Sequence, residues 1–274
     1  MSEKIETLIG LLLQHGYQIA IPLMLLTLLR PWAMLYTFIG FQWALGRSAG
    51  IRSIMAIVIG LPMILVHGST LEAIVLQPSV LPFFGIVLAE LTVGACIGIL
   101  ASLPFWSLQY AGAISDQMRG ETDSGIQSPA GGSITTFGNL YLVIGFLAFV
   151  TLNGFSWLFG TLLRSYQIWP TGRNMPELST SSLWYVITLF GESISYAVTI
   201  AVPALVVLLA IELVSGICAR LAPRFGFYNL AFLIKNLCAI LILPFLVMLV
   251  WKSAGIQIFN NFQDIDALKF LIDE

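Results

Sequence analysis

Charge is what this sequence has least of. Only 9% of its 274 residues are Asp, Glu, Lys or Arg, against 58% hydrophobic, where an ordinary soluble domain carries about a quarter charged residues. That balance excludes a soluble globular domain and points to a membrane-class chain. A formal net charge of -2 offers no basic field for nucleic acid and no acidic tail for a basic partner. Cysteine is nearly as scarce: Cys96, Cys218 and Cys238 stand singly in apolar runs, without a CxxC or a Cys/His cluster. They read as buried small hydrophobes, not metal ligands or disulfide partners. His15 and His67 are alone, with no HExxH and no carboxylate at ligand spacing, so interface histidines are the better reading. Neither a GxSxG elbow, a P-loop nor a GxGxxG in strand context is present. The expectation is therefore no enzyme, no cofactor and no metal. An internal repeat of the kind that marks the two halves of a transporter is missing as well. The opening "MSEKIE" is acidic and no A-x-A-like cleavage site follows the first apolar block, so that segment is expected to be retained.

What the sequence has in quantity is long apolar runs. A spanning helix needs about 20 such residues, and by that ruler six blocks stand out: Tyr17–Leu45, Ile54–Val66, Leu81–Trp106, Phe137–Leu163, Leu183–Cys218 and Leu230–Trp251. The second is short. The fifth, at about 1.5 Å per residue, is nearly twice a bilayer core, and Pro203 at its middle suggests two half-length pieces or one kinked rod. Pro22, Pro62, Pro104 and Pro244 interrupt other blocks. The fold class expected is all-α: about six kinked hydrophobic helices forming helical hairpins. Lys and Arg should orient them, yet the two sides come out nearly equal. Either partners orient the chain, or some blocks are not simple spans.

An ionisable group at the bilayer centre costs about 2.5–3.5 kcal/mol on insertion scales, so Arg30, Glu90, Glu192, Glu212 and Lys235 each ask for a reason. Glu192 and Glu212 lie about 30 Å apart along one helix, which suits opposite interfaces of a single crossing. Glu90 is flanked by apolar residues on both sides; an ion pair with an Arg or Lys of a neighbouring subunit is favoured over a proton relay. In "CARLAPRFGFYNLAFLIKN" (Cys218–Asn236), Pro223 and Gly226 suggest a turn between two helices, with Arg220 and Arg224 near helix termini. A basic loop flanking two spans is the plainer alternative. Lys235 falls inside the last block and must snorkel or find an acid, Glu212 being one within the chain. "GACIG" (Gly94–Gly98) has the small-xxx-small spacing that lets helix backbones approach.

One polar run interrupts this pattern, "SDQMRGETDSGIQSPAGGS" from Ser115 to Ser133. Its glycines make the backbone permissive and costly to order, and loop backbone cannot face lipid although it can line a wet cavity. An ordinary solvent-exposed connector is the alternative. The tail, 259–274, spaces Phe262, Ile265, Leu268 and Leu271 or Ile272 for an amphipathic helix; a frayed terminus fits equally.

Three stretches taken together carry a resemblance: "ELTVGACIGILASLPFWSLQYAGAISDQMRG" (Glu90–Gly120), "LNGFSWLFGTLLRSYQIWP" (Leu152–Pro170) and "PALVVLLAIELVSGICARLAPRFGFYNLAFLIKN" (Pro203–Asn236). They resemble, in order and over essentially the whole chain, the export-gate T subunit of bacterial type III secretion systems, the SctT/FliR family. The "SLPFW" and "SYxxWP" motifs are closer to the injectisome branch than to the flagellar one. Gly226 and Leu233 depart from the family pattern, where an Asn and a Pro are common, so the local bend is expected to differ. Arg220, Lys235 and Glu212 match.

The resemblance implies a non-catalytic, structural and gating subunit, one domain over 1–274, multi-pass in the bacterial inner membrane. It implies assembly with about five copies of an R subunit and about four of an S subunit into a hetero-oligomeric helical gate that one T subunit closes. U and V subunits, membrane lipid and unfolded secreted protein substrates are the other implied partners. Apolar helices would then pack on partner helices, and Glu90 and Glu192 would find partners there. The polar segment 115–136 would supply a plug across the pore, its loop at 117–136, with Gln117, Arg119, Gly120, Glu121, Asp123, Gly125, Gly131 and Gly132 as its residues. Glu90, Glu192, Glu212, Arg220, Arg224 and Lys235 would be buried or intersubunit charges. A secondary transporter coupling protons or solute through Glu90, Glu192 or Glu212 is the alternative.

Overall fold

A computed structural model describes residues 17–45, 48–60, 80–121, 126–127, 133–171, 180–221 and 227–265. In chain order these form α1 (Tyr17–Thr37), α2 (Ile39–Leu45), α3 (Ala49–Gly60), α4 (Val80–Arg119), β1 (Ile126–Gln127), β2 (Ser133–Ile134), α5 (Thr136–Thr151), α6 (Gly154–Ile168), α7 (Thr180–Leu221) and α8 (Phe227–Ile265). The protein is all-α apart from the two short strands, which pair antiparallel with Ile126 opposite Ile134 and Gln127 opposite Ser133.

The apolar blocks do not map one to one onto these helices. The first is divided at Phe38, where the Ile39 N–H donates to Ser102 Oγ at 2.9 Å instead of continuing the ladder of α1. That hydroxyl in turn lies 2.7 Å from the Gly98 carbonyl and 3.3 Å from the Thr37 carbonyl, sharing its single proton between them. Ser102 is fully buried, so Ser102→Ala would leave the Ile39 N–H without its acceptor. A loss of about 1–3 kcal/mol is expected, measured as a lower thermal midpoint of the detergent-solubilised chain; an unchanged midpoint would mean another acceptor takes over.

The second block is helical over Ala49–Gly60, and its remainder lies outside the described residues. The third passes Pro104 unbroken and does not stop at Trp106 but runs on to Arg119. Its polar end stays helical because its side chains are satisfied locally: Ser115 Oγ donates to the Ala111 carbonyl at 3.0 Å, and Asp116 pairs with Arg119 one turn on. The segment read as a loop from Ser115 therefore begins only at Gly120. The fourth block is two helices, parted at Leu152 and Asn153, the latter at φ 58°. Asn is among the few residues other than Gly that visit this left-handed region routinely, and the sequence "LNG" provides it. The fifth block is one continuous helix: α7 runs unbroken across Pro203, not as two half-length pieces. The sixth continues past Trp251 into the tail, as far as Ile265.

Among the described residues, three helical stretches, Phe83–Arg119, Trp184–Leu221 and Leu230–Lys252, are long and apolar enough to cross a membrane, and α5 with α6 would make a fourth if counted as one broken span. Only 17% of the most apolar window of Leu230–Lys252 is buried within the chain, so lipid or other helices must cover the rest.

The chain forms two compact units. The first comprises 1–102, 156–184 and 262–274. Here α1 lies directly against the first part of α4. A Cβ added at Gly94 would strike the Arg30 carbonyl and Ala33, and one at Gly98 would strike Thr37 and the Met34 carbonyl. The small-xxx-small spacing is thus a helix contact, flanked by Leu26 and Ile86 packed with Leu29, Phe83 and Val87. The second unit comprises 103–155 and 185–261. In it the last part of α4 packs on α5, with Phe105 edge-on to Phe149 at 5.5 Å. Phe137, Leu208 and Ala239 form a core joined by Met118 and Leu243.

Candidate functional site

The 121–135 segment enters from α4 and leaves into α5, and both of its ends are built on one cluster of side chains. Gly120, at φ 88°, ends α4. Its N–H donates to the Gln117 carbonyl and that of Glu121 to the Asp116 carbonyl, both at 3.0 Å. This double bond pattern is the Schellman stop, which satisfies orphan carbonyls and needs a left-handed residue, hence glycine. At the other end Thr135 caps α5, its hydroxyl accepting from the Gly138 N–H at 3.3 Å.

Asp116 joins the two ends. One carboxylate oxygen pairs with Arg119. The other accepts from the Phe137 N–H at 2.6 Å and, longer, from the Gly138 N–H at 3.4 Å, so the acid sits on the positive N-terminus of α5. Arg119 is the hub. Its Nη2 also meets Glu121 at 2.5 Å, its Nη1 donates to Asn236 Oδ1 on α8 at 3.2 Å, and its guanidinium stacks 4.1 Å from the centre of the Phe137 ring. Glu121 accepts from Thr136 Oγ1 at 2.6 Å. Asp116 is 0% and Arg119 7% exposed. One cation thus faces two carboxylates, and the helix terminus balances the remainder. Such charge-assisted, planar contacts suit Arg and would not suit Lys. The arrangement holds no nucleophile with a base; it is a mechanical tie that pins the segment's two ends to each other and to α8.

A second buried ion pair lies in the first unit. Arg30 grips Glu90 with two nitrogens, Nε at 2.8 Å and Nη2 at 3.0 Å, and donates further to Ser165 Oγ at 3.1 Å and the Trp169 carbonyl at 3.0 Å. The Tyr166 ring lies 4.2 Å from the guanidinium, and its hydroxyl donates to the Thr27 carbonyl at 3.2 Å. Both ions are at most 1% exposed. The partner expected for Glu90 in a neighbouring subunit is therefore Arg30 of the same chain.

Of the other expected charges, Lys235 on α8 pairs with Glu212 on α7. Glu192 is exposed on α7, and Arg220 is exposed in its last turn. Gln117 is exposed in the last turn of α4. Asp123, Gly125, Gly131, Gly132 and Arg224 lie outside the described residues. The sequence reading did not single out Asp116, Thr136 or Asn236. Asp116 had a visible signal, an acid facing an arginine at helical i,i+3 spacing; Asn236 had none, because its role depends on how α8 packs.

The family described as bacterial export proteins, family 1, matches residues 7–260. The chain belongs to this family. It is similar to Yop proteins translocation protein T of Yersinia pestis, 29% identical over 61% of this chain and 64% of that protein. It is also similar to surface presentation of antigens protein SpaR of Shigella sonnei, 32% identical over 56% of this chain and 59% of that protein. Similarity extends to flagellar biosynthetic protein FliR of Escherichia coli K12, 24% identical over 68% of this chain and 73% of that protein. The chain thus spans somewhat under two thirds of the length of the first two relatives. The SctT/FliR resemblance and its injectisome-like character hold, the identities to the translocation and SpaR proteins exceeding that to FliR.

Proposed function

We propose that this chain is a structural, gating subunit of a bacterial type III protein-export channel in the inner membrane, and that its 121–135 segment closes the pore. Family membership supports the first half. The observation that supports the second is that both ends of a polar, glycine-rich segment are held on Asp116 and Arg119, which gives it a fixed base. A closure that must yield belongs to the less stable parts of a structure, while its base must not move. The domain reading remains a proposal of a single export-gate domain over 1–274, with the plug starting at Glu121, after the helix stop at Gly120, instead of at Ser115. The partners would be R, S, U and V export subunits and unfolded protein substrates, with lipid on whatever apolar helix faces they leave free. Glu90 and Glu212, each engaged by a cation of its own chain, favour the gate over a transporter that would need them to titrate.

Deleting residues 122–132 tests this, since it spares Glu121, Thr135 and Thr136. The expected result is an export complex that still assembles and co-purifies but makes the inner membrane permeable to small solutes without substrate. A deletion complex as tight as the wild type would remove the plug, and a chain that purifies without any other export subunit would remove the gate reading as a whole.

A further inference from the structure

α7 changes character along its outward side. Thr188, Gly191, Glu192, Ser195 and Thr199 are exposed and recur at three-to-four spacing, which puts them on one side of the helix over about 16 Å. Farther along that side come Val202, Val206 and Leu213, exposed and aliphatic. The polar part falls within Trp184–Leu221, a stretch of mean hydropathy 2.6, and is flanked by Ile187, Ile194 and Val198, exposed as well. Among the described residues Glu192 meets no cation, whereas Glu90, Asp116, Glu121 and Glu212 each have one. Lipid would strand this carboxylate, and water would be left against the apolar flank. A protein surface with a cation answers both.

Gly191, Ser195 and Thr199 follow one another at steps of four, a spacing that lets two helix backbones approach closely. On α4 the same device is occupied: a Cβ added at Gly94 or Gly98 would strike backbone atoms of α1, and one at Gly112 those of α5. At Gly191 nothing lies within 4 Å of the added carbon. Thr199 Oγ1 gives its one proton to the Ser195 carbonyl at 2.8 Å, so toward a neighbour it can only accept, as an ionised Glu192 does. The face therefore offers acceptors and negative charge. We propose that it docks an apolar helix of another chain, one that brings a Lys or Arg to Glu192 and small side chains to Gly191; this rests on reading the protein as one subunit of a multi-chain export channel. Docking takes the carboxylate out of water only together with its counter-ion, so a helix lacking the cation is refused.

The experiment uses the full chain in its assembled complex in inner membranes, and reads the amount of other export subunits that co-purify with it. Gly191→Leu fills the open space without touching the rest of this chain. It should cut assembly about tenfold while the thermal midpoint of the detergent-solubilised chain stays unchanged or rises. Gly216→Leu is the control, its added carbon also meeting nothing within 4 Å, and should assemble as the wild type does. Glu192→Gln should lower assembly about tenfold, and Glu192→Lys more, by setting like charges together. An acidic residue in place of the matching Lys or Arg of another subunit should then restore Glu192→Lys and so name the partner. If both Glu192 variants assemble at the wild-type level, the occupant brings no cation and the proposal falls. Equal losses from Gly191→Leu and Gly216→Leu would sink it too, because crowding anywhere on α7 would then suffice. Ser195→Cys separates the other coverings: its thiol should resist a water-soluble maleimide in the assembled complex, and ready labelling there would show a face that lines water instead. A wild-type chain that brings no other export subunit with it removes the export reading and this one together, a result none of the variants can mimic.

Discussion

Arg30→Ala is expected to lower the stability of the chain by about 3–5 kcal/mol, because it leaves the Glu90 carboxylate buried and uncompensated. Few single changes act at so many points, since this one side chain joins α1, α4 and α6 and reaches the Trp169 carbonyl just beyond α6. Glu90→Ala should cost a similar amount by stranding the guanidinium. The pair Arg30→Met with Glu90→Leu should recover most of the loss, as breaking a buried pair is far more costly than replacing both ions by apolar residues of similar volume. Steady-state amount in the membrane and thermal aggregation in detergent would measure all three. Single variants as abundant and heat-resistant as the wild type would show that the pair does not hold these helices.

The second large effect is expected from Gly112→Val. Even a bare Cβ at this position would lie 2.5 Å from the Gly138 nitrogen and from the carbonyl group of Phe137. These are backbone atoms, with no side chain that could swing away, so α4 and α5 must separate. Overpacking of this kind costs about 1–3 kcal/mol and occasionally more. It also pulls Asp116, one turn further along α4, off the Phe137 N–H that it holds at 2.6 Å. The variant should therefore combine a lowered thermal midpoint with a resting leak of the assembled complex. Gly85→Ala on the same helix is the control: nothing lies within 4 Å of the added carbon, and gain of helix propensity should leave stability unchanged or raised by up to about 1 kcal/mol. If Gly112→Val and Gly85→Ala behave alike, the close approach of α4 and α5 is not what sets the base of the segment.

Legibility in the sequence followed the range of the interaction involved. Apolar blocks announced an all-α membrane-class chain, and the glycines at 94 and 98 announced a close helix contact, because both are written in neighbouring residues. The motifs in Glu90–Gly120 and Pro203–Asn236 announced the family. Helix ends were less readable. Ser115 to Arg119 looked like loop because polarity was taken for irregularity, whereas an i,i+3 ion pair and a serine bonded back to the preceding turn keep it helical. Pro203 left two half-length pieces or one kinked rod open, and α7 passes through it as one helix. The divisions at Phe38 and at Asn153 fell inside apolar runs, one made by a distant serine and the other by a single left-handed residue. Glu90 was assigned a partner in another chain since no single-chain pattern links positions sixty residues apart. Asn236 escaped notice for the same reason.

The unbroken length of α7 has a consequence for how long the protein survives in a cell. At about 1.5 Å per residue its 42 residues extend about 63 Å, and even tilted by about 40° they would rise some 48 Å, well beyond a hydrocarbon core of about 30 Å. Under the proposed function, a newly made chain would hold more apolar helix than a bilayer can shelter, and before assembly it would resemble a damaged membrane protein to the proteases that patrol for one. Its half-life would then be set less by its own folding than by the supply of whatever chains cover that helix.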